Sequence, residues 1–344
     1  MISNNIANMS LSPSLQQRID EIAPDEWAEL DRILAAFADA SRIQIITHLR
    51  PDGDALGSAL GLANYFWREE KECRVFTLGP LPEQYDFLPG YDKVQDTIDQ
   101  SFDPELTVYM DCGDKDRACK RDLRRGRTIN IDHHLGNPNF GDLNWVDSRS
   151  PATAEMLYII LHRGDIELSR EIGTAIYTGV VSDTGNFQFS NTRPHVFDIA
   201  AACASAGAEP SKIAELLFER KLPGMLTLAG HVFTNMQIEC DGEFCWAELR
   251  QEQYDQVGGE EMEPEGLVGE LRGIKGVNLA ILMHELKDGS LRASLRSRGH
   301  IDCREIASRI GGGGHKYASG VLIRQKYEEA QALILSEARA VFEK

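Results

Sequence analysis

Short apolar runs that break off into carboxylates and imidazoles set the architecture open to this chain. Ile43-Gln-Ile-Ile-Thr47 runs into His48, Thr107-Val-Tyr-Met110 into Asp111, and Thr128-Ile-Asn-Ile131 into Asp132-His133-His134. Arg74-Val-Phe-Thr-Leu78 is a further run of this kind. Between them lie stretches with helical spacing: residues 25–38 carry Trp27, Leu30, Ile33, Leu34 and Phe37, and another stretch extends from Ala55 to Arg68. Short apolar strands alternating with helices predict an α/β fold with an N-terminal parallel sheet and flanking helices. Ligands of such sheets bind beyond the carboxyl ends of the strands, where these acids and histidines fall.

Residues 153–236 read as mostly helical, and strands resume at Phe244–Leu249, Val277–Leu286 and Leu291–Leu295. A glycine run, Gly311 to Gly314, precedes a strand at Val321–Ile323 and a closing helix from Tyr327. The tail thus predicts a smaller C-terminal α/β domain, with Pro223-Gly224 as the hinge region. At 344 residues the chain is expected to hold two domains and to need no disulfide or structural metal to fold. Its seven cysteines include no C-x-x-C pair and read as reduced thiols. Neither a signal peptide nor a run of about 18 apolar residues is visible, so a cytoplasmic protein without a membrane partner is expected.

Each strand-end cluster has a plain reading beside a chemical one. His48-Leu-Arg-Pro-Asp52-Gly-Asp54 suits a divalent cation such as Mn²⁺ or Mg²⁺, but equally an N-capping Asp beside a solvated His. Asp111 fits a turn or cap, His133-His134 a structural pair, and Val181-Ser-Asp183-Thr-Gly185 an ordinary helix end. Adjacent histidines point in different directions, so one can bind metal while the other faces a substrate. Four elements ending alike, gathered at one sheet edge, would supply donors for two metals.

The order His48-x-x-x-Asp52-x-Asp54, Asp111, Asp132-His133-His134, Asp183 resembles the four motifs of the DHH phosphoesterase superfamily. Arg296-Ser297-Arg298-Gly299 followed by Gly311-Gly-Gly-Gly-His315-Lys316 resembles its DHHA1 substrate-binding domain. The branch it is most similar to is the nanoRNase (oligoribonuclease) and 3′-phosphoadenosine 5′-phosphate phosphatase group. The resemblance covers roughly residues 42–325; with the hinge at Pro223-Gly224, the expected division is a helical lead-in over 1–40, a DHH catalytic domain over 41–222, a connector helix over 223–236 and a DHHA1 domain over 237–344. The resemblance implies two Mn²⁺ ions (Mg²⁺ as an alternative), one on His48, Asp52 and Asp111, the other on Asp54, Asp111, His133 and Asp183. Asp132 would orient a ligand imidazole, and His134 would face the substrate as phosphate ligand or proton donor. Arg296, Ser297, Arg298, Gly313, Gly314 and His315 would contact the nucleotide. Gln188 stands where relatives commonly carry Arg, which leaves that substrate contact in doubt.

The implied activity is hydrolysis of very short RNA to 5′-mononucleotides and of 3′-phosphoadenosine 5′-phosphate to AMP and phosphate. The alternatives are a cyclic or linear dinucleotide (cyclic di-AMP, pApA) phosphodiesterase and a single-strand exonuclease. Charge refines the substrate. The whole chain is at −18, whereas the segment from Leu291 to Lys326 holds eight Lys and Arg against two acids. An acidic surface repels a long polyphosphate, so short RNA or small nucleotides are expected and long duplex nucleic acid is not. A homodimer is compatible with the sequence.

Overall fold

The computed structural model describes residues 11–77, 79–99, 101–114, 125–258 and 264–343. Leu78 and Cys119 lie outside them, as does the side chain of His315. The chain divides into two compact units, Met1–Arg220 and Lys221–Lys344.

The first unit begins with α1 (Pro13–Asp20) and α2 (Pro24–Asp39), each with proline in its first turn, where a missing N–H costs nothing. It continues through β1 (Arg42–Ile46), α3 (Gly53–Arg68), β2 (Glu72–Phe76), β3 (Leu106–Met110), β4 (Arg127–Asp132) and β5 (Leu143–Val146). Helices α4 (Thr153–Arg163), α5 (Arg170–Asp183), α6 (Pro194–Ser205) and α7 (Pro210–Phe218) complete it. The sheet has the order β2-β1-β3-β4-β5 and every pairing is parallel. All five residues of β3 are buried, as expected of a parallel strand covered on both faces. Helix α2 buries Leu30, Ile33, Ala36 and Phe37, one stripe at helical spacing.

Helices α3 and α5 cross without side chains between them. A Cβ on Gly57 would lie 2.5 Å from the Ala175 carbonyl oxygen, and one on Gly179 would lie 2.9 Å from Asp54 Oδ1. That close crossing holds the start of α3, with Asp54, against α5, whose last residue is Asp183.

Two strands of this first unit depart from expectation. β2 starts two residues early because Arg42 pairs with Glu72 and fixes its register. β5 was not expected at all: it is an edge strand with only Leu143 and Trp145 fully inward, too short to leave a periodic signal. Helix α1, inside the expected helical lead-in, carries little periodic signal of its own, since only Leu15 and Arg18 of its eight residues are buried.

The second unit comprises α8 (Pro223–Asn235), β6 (Gln237–Glu239), β7 (Phe244–Leu249), α9 (Gln251–Gln256), α10 (Glu265–Gly273), β8 (Leu279–Glu285), β9 (Leu291–Ser297), α11 (Cys303–Arg309), β10 (Gly313–His315), β11 (Ala318–Ile323) and α12 (Tyr327–Arg339). Its sheet runs β10-β11-β9-β8-β7-β6, parallel only between β7 and β8. One face packs Leu279, Ile281 and Met283 against Ile306 of α11 and Ile334 of α12. The other packs Ala280 and Leu282 against Leu228 and Val232 of α8 and Val268 and Leu271 of α10. The chain is therefore α/β throughout, with helices covering both faces of the second sheet. Among the described residues no helix is long and apolar enough to cross a membrane.

Candidate active site

The carboxyl ends of β1, β3 and β4 and the facing ends of α3, α4 and α5 gather the acids and histidines singled out in the sequence. Asp52 is the N-cap of α3, where its Oδ1 accepts from the N–H groups of Asp54 and Ala55, both at 3.0 Å. The capping reading of this segment is therefore realised, and it coexists with a place in the cluster: the same oxygen is 3.9 Å from His48 Nε2. Asp54, in the first turn of α3, is fully buried against the start of α4. Its Oδ2 accepts from Thr153 N–H at 2.6 Å and its Oδ1 from Ala154 N–H at 2.8 Å. Asp111 follows β3 with φ +58, a left-handed conformation that Asp tolerates better than most residues. Its N–H donates to the Ile131 carbonyl at 3.0 Å and its Oδ1 accepts from Thr153 Oγ1 at 3.0 Å.

The histidines are oriented by what their other nitrogens touch. His48 Nδ1 lies 2.9 Å from the Leu49 carbonyl and His133 Nδ1 lies 3.2 Å from the Ser150 carbonyl. A carbonyl only accepts, so each Nδ1 carries the proton and each Nε2 is turned toward carboxylates. His48 Nε2 is 3.5 Å from Asp111 Oδ2. His133 Nε2 is 3.2 Å from Asp183 Oδ2, 3.5 Å from Asp111 Oδ1 and 3.9 Å from Asp54 Oδ2. His134 is turned the other way, its Nδ1 2.7 Å from Asp132 Oδ1, and the two rings stand at 72°. Asp132 thus holds His134, whereas the sequence reading gave it a ligand imidazole; the adjacent Ser150 carbonyl already takes the His133 N–H. Asn137 Nδ2, unforeseen in the sequence, fixes Asp132 from its second oxygen at 2.6 Å.

Two donor sets that share no residue result, His48 with Asp52 and Asp111, and Asp54 with His133 and Asp183, and a third group, Asp111 with His133 and His134, overlaps both; in each the ligand atoms lie within 4.8 Å of one another. Asp111 joins them, one oxygen facing His48 and the other facing His133. A neutral imidazole nitrogen aimed at a carboxylate repels it unless a proton or a cation lies between, and oxygen and imidazole donors without thiolates suit Mn²⁺ or Mg²⁺. The proton balance says the same. Burial disfavours a charged His48, yet Asp111 and Asp52 push its pKa up to about 11. Burial, then the Asp111 charge, pushes Asp54 up to about 8, and burial with Asp54 and Asp52 raises Asp183 well above the carboxylate range. Without a cation the cluster retains protons; the groups present could hold a metal ion.

A family model described as "DHH family, N-terminal domain" matches residues 42–180, and one described as "DHHA1 domain" matches residues 254–344. The "Bifunctional oligoribonuclease and PAP phosphatase NrnA" of Thermus thermophilus is 31% identical over 321 residues, 91% of this chain and 96% of that protein. The chain belongs to the DHH family of phosphoesterases. The protein of the same name from Bacillus subtilis is 28% identical over 83% of this chain and 90% of its own length. The crystal structure of an exopolyphosphatase-related protein from Bacteroides fragilis superposes with a TM-score of 0.86 at 26% identity, covering 92% of this chain and 98% of that one.

In the DHHA1 part, the expected contacts fall on β9 and on the hairpin of β10 and β11. β10 pairs with β11 from Gly313↔Gly320 to His315↔Ala318, so the glycine run enters an edge strand. Gly314 has φ +137, and a Cβ there would lie 2.6 Å from the Ala318 carbonyl oxygen, so only glycine closes this hairpin. Arg296 is half-buried on β9 and Arg298 is exposed just after it, its guanidinium donating to the Arg272 carbonyl. Ser297 corrects the expectation: it is buried, with Oγ 2.8 Å from the Ile301 carbonyl and 3.0 Å from the Lys316 carbonyl, and braces the hairpin turn. The β9 alternation that buries Leu291, Ala293 and Leu295 turns Ser297 inward as well. Back in the DHH part, Phe187 packs against the core and stacks on Phe197 at 5.2 Å, whereas Phe189 remains 45% exposed.

Proposed function

We propose that this DHH enzyme is a Mn²⁺-dependent phosphohydrolase. It would release 5′-mononucleotides from very short RNA and convert 3′-phosphoadenosine 5′-phosphate to AMP and phosphate. The observation that carries the proposal is Asp111, whose two oxygens serve the two donor sets at once. His48, Asp52 and Asp111 would hold one cation; Asp54, Asp111, His133 and Asp183 would hold the second. Two such cations, when bound, supply Lewis acidity to water and offset the negative charge of the phosphoryl oxygens.

The chain's own residues do the rest. Asp132 raises the pKa of His134 against the effect of burial, so that its imidazolium can donate a proton to the departing oxygen. The Asp54 and Asp111 carboxylates are held in place by the first turn of α4 before any substrate arrives. Arg296 and Arg298 beside the glycine hairpin give phosphate a basic, close-approach surface. The names of the two NrnA relatives, which span nearly their whole length, support the pairing of short RNA with the bisphosphate nucleotide. A chain at −18 favours substrates with few phosphates.

The test is a Mn²⁺-dependent panel of 3′-phosphoadenosine 5′-phosphate, RNA of two to about ten nucleotides, long single-stranded RNA and cyclic di-AMP. Turnover of the first two, falling steeply with RNA length, is expected. Full-rate hydrolysis of long RNA, or a preference for cyclic di-AMP, would overturn the reading.

A further inference from the structure

Arg18 is the one basic side chain of α1 in its last turn, and it is 1% exposed. Its Nη2 donates to Asp147 Oδ2 at 2.6 Å and to Ser150 Oγ at 2.8 Å, and its Nε donates to Glu155 Oε1 at 2.8 Å. Glu155 is itself buried; its other oxygen is 2.9 Å from His195 Nε2 on α6, and Ser150 Oγ donates to Oε1 at 3.1 Å. One guanidinium thus ties together three points of the segment that runs from β5 into α4.

That segment holds the cluster. The Ser150 carbonyl takes the His133 Nδ1 proton, the N–H groups of Thr153 and Ala154 hold Asp54, and Thr153 Oγ1 holds Asp111. Asp147 N–H also donates to the Asp132 carbonyl at 3.0 Å. Three residues of the cluster therefore take their orientation from residues 150–154, and Arg18 fixes that stretch from behind. It does so from α1, outside the segment that the DHH model matches.

We propose that Arg18 is a positioning residue for the cation-binding cluster, acting through Asp147, Ser150 and Glu155 and touching neither cation nor substrate. The proposal rests on the two-cation reading above. A lysine at this position keeps the charge but lacks the planar fork that reaches three acceptors together. Partners of metal ligands commonly set affinity within about 10- to 100-fold.

The test uses the full chain and Mn²⁺ alone, titrated by electron paramagnetic resonance, with melting temperature recorded in chelator. Arg18→Lys is expected to weaken Mn²⁺ binding about 10-fold or more. Ser150→Ala, which keeps the carbonyl and loses only the hydroxyl, should weaken it in the same direction and serves if Arg18→Lys does not fold. A Ser12→Ala/Ser14→Ala double variant loosens α1 elsewhere, where both hydroxyls donate to Asp198; it should lower the melting temperature and leave Mn²⁺ affinity unchanged. Unchanged Mn²⁺ affinity in both Arg18→Lys and Ser150→Ala would overturn the proposal. So would an equal loss in the double variant, because α1 docking as such would then be responsible. Failure of the wild-type protein to bind Mn²⁺ would instead refute the two-cation reading itself.

Discussion

Thr153 N–H donates to Asp54 Oδ2 over 2.6 Å, joining residues 99 positions apart in the chain. With Ala154 N–H on the other oxygen, the positive end of α4 favours the charged carboxylate and offsets part of the burial that raises its pKa. The Thr153 hydroxyl does a separate job, donating to Asp111. Thr153→Val keeps the shape and the N–H but removes that hydroxyl bond. Mn²⁺ affinity should fall about 10-fold, with α4 still capping Asp54. Isothermal titration with Mn²⁺ decides it; an unchanged affinity would show that Asp111 needs no orienting partner.

Asp111 faces His48 with one oxygen and His133 with the other. Asp111→Asn keeps the volume and removes the charge shared by both donor sets. Turnover should drop by more than the about 10- to 100-fold typical of outer partners, and bound Mn²⁺ should fall below two per chain. A far-ultraviolet circular dichroism spectrum should match that of the wild type. Near-normal turnover by this variant would exclude a centre shared through Asp111.

His133 and His134 are neighbours with opposite assignments. His133 turns Nε2 to three carboxylates, and His134 turns Nδ1 to Asp132. His133→Ala should lose Mn²⁺ and activity together. His134→Ala should keep most of its Mn²⁺ and lose kcat, because a proton donor is missing rather than a ligand. Metal content after dialysis, measured beside kcat, separates the two; equal metal loss in both variants would make His134 a ligand.

Much of this was legible because parallel strands covered on both faces read as bare apolar runs, so β1, β3 and β4 and the residues that end them stand out. The α/β architecture followed from that, whereas the set of His48, Asp52, Asp54, Asp111, His133 and Asp183 came from the order of motifs that resembles the DHH superfamily. The supports were not legible. Ser150 acts through a main-chain carbonyl, which no side-chain pattern records, and Arg18 is one arginine on a short, mostly polar helix. Thr153 stands at a helix start, but Ala152 is the N-cap and the Thr153 hydroxyl reaches Asp111. Ser297 was readable in principle: three alternate apolar residues before it on β9 fix its inward parity.

The close crossing of α3 and α5 depends on Gly57. An added methyl would press on the Ala175 carbonyl and on the Gly179 backbone, and backbone cannot yield as a flexible side chain does. Gly57→Ala should destabilise the protein by about 1–3 kcal/mol, the usual effect of overpacking. Because the same crossing sets Asp54 against Asp183, Mn²⁺ affinity should fall with it. Urea denaturation in chelator gives the first quantity and Mn²⁺ titration the second. A stability within error of the wild type would mean that the helices can part freely.

Protons and cations compete for the cluster, and the direction of that competition can be derived. Folding raises Asp54 from the usual value near about 4 to about 8, chiefly by burial, so the metal-free folded chain holds a proton that the unfolded chain has released. His48 is raised to about 11 although burial opposes it, because Asp111 and Asp52 favour its charged form. Its contribution is fully present below about pH 6.5 and is lost as pH rises toward about 11. In both cases the folded state binds more protons than the unfolded state between about pH 6 and about pH 9, so stability must fall as pH rises. Cation binding needs the proton-free groups, so its effect runs the other way. The melting temperature in chelator should therefore decline across this range, while the increment produced by Mn²⁺ grows. Thermal denaturation in paired chelator and Mn²⁺ series checks both slopes. A metal-free melting temperature that climbs with pH would mean that Asp54 and His48 do not carry these protons.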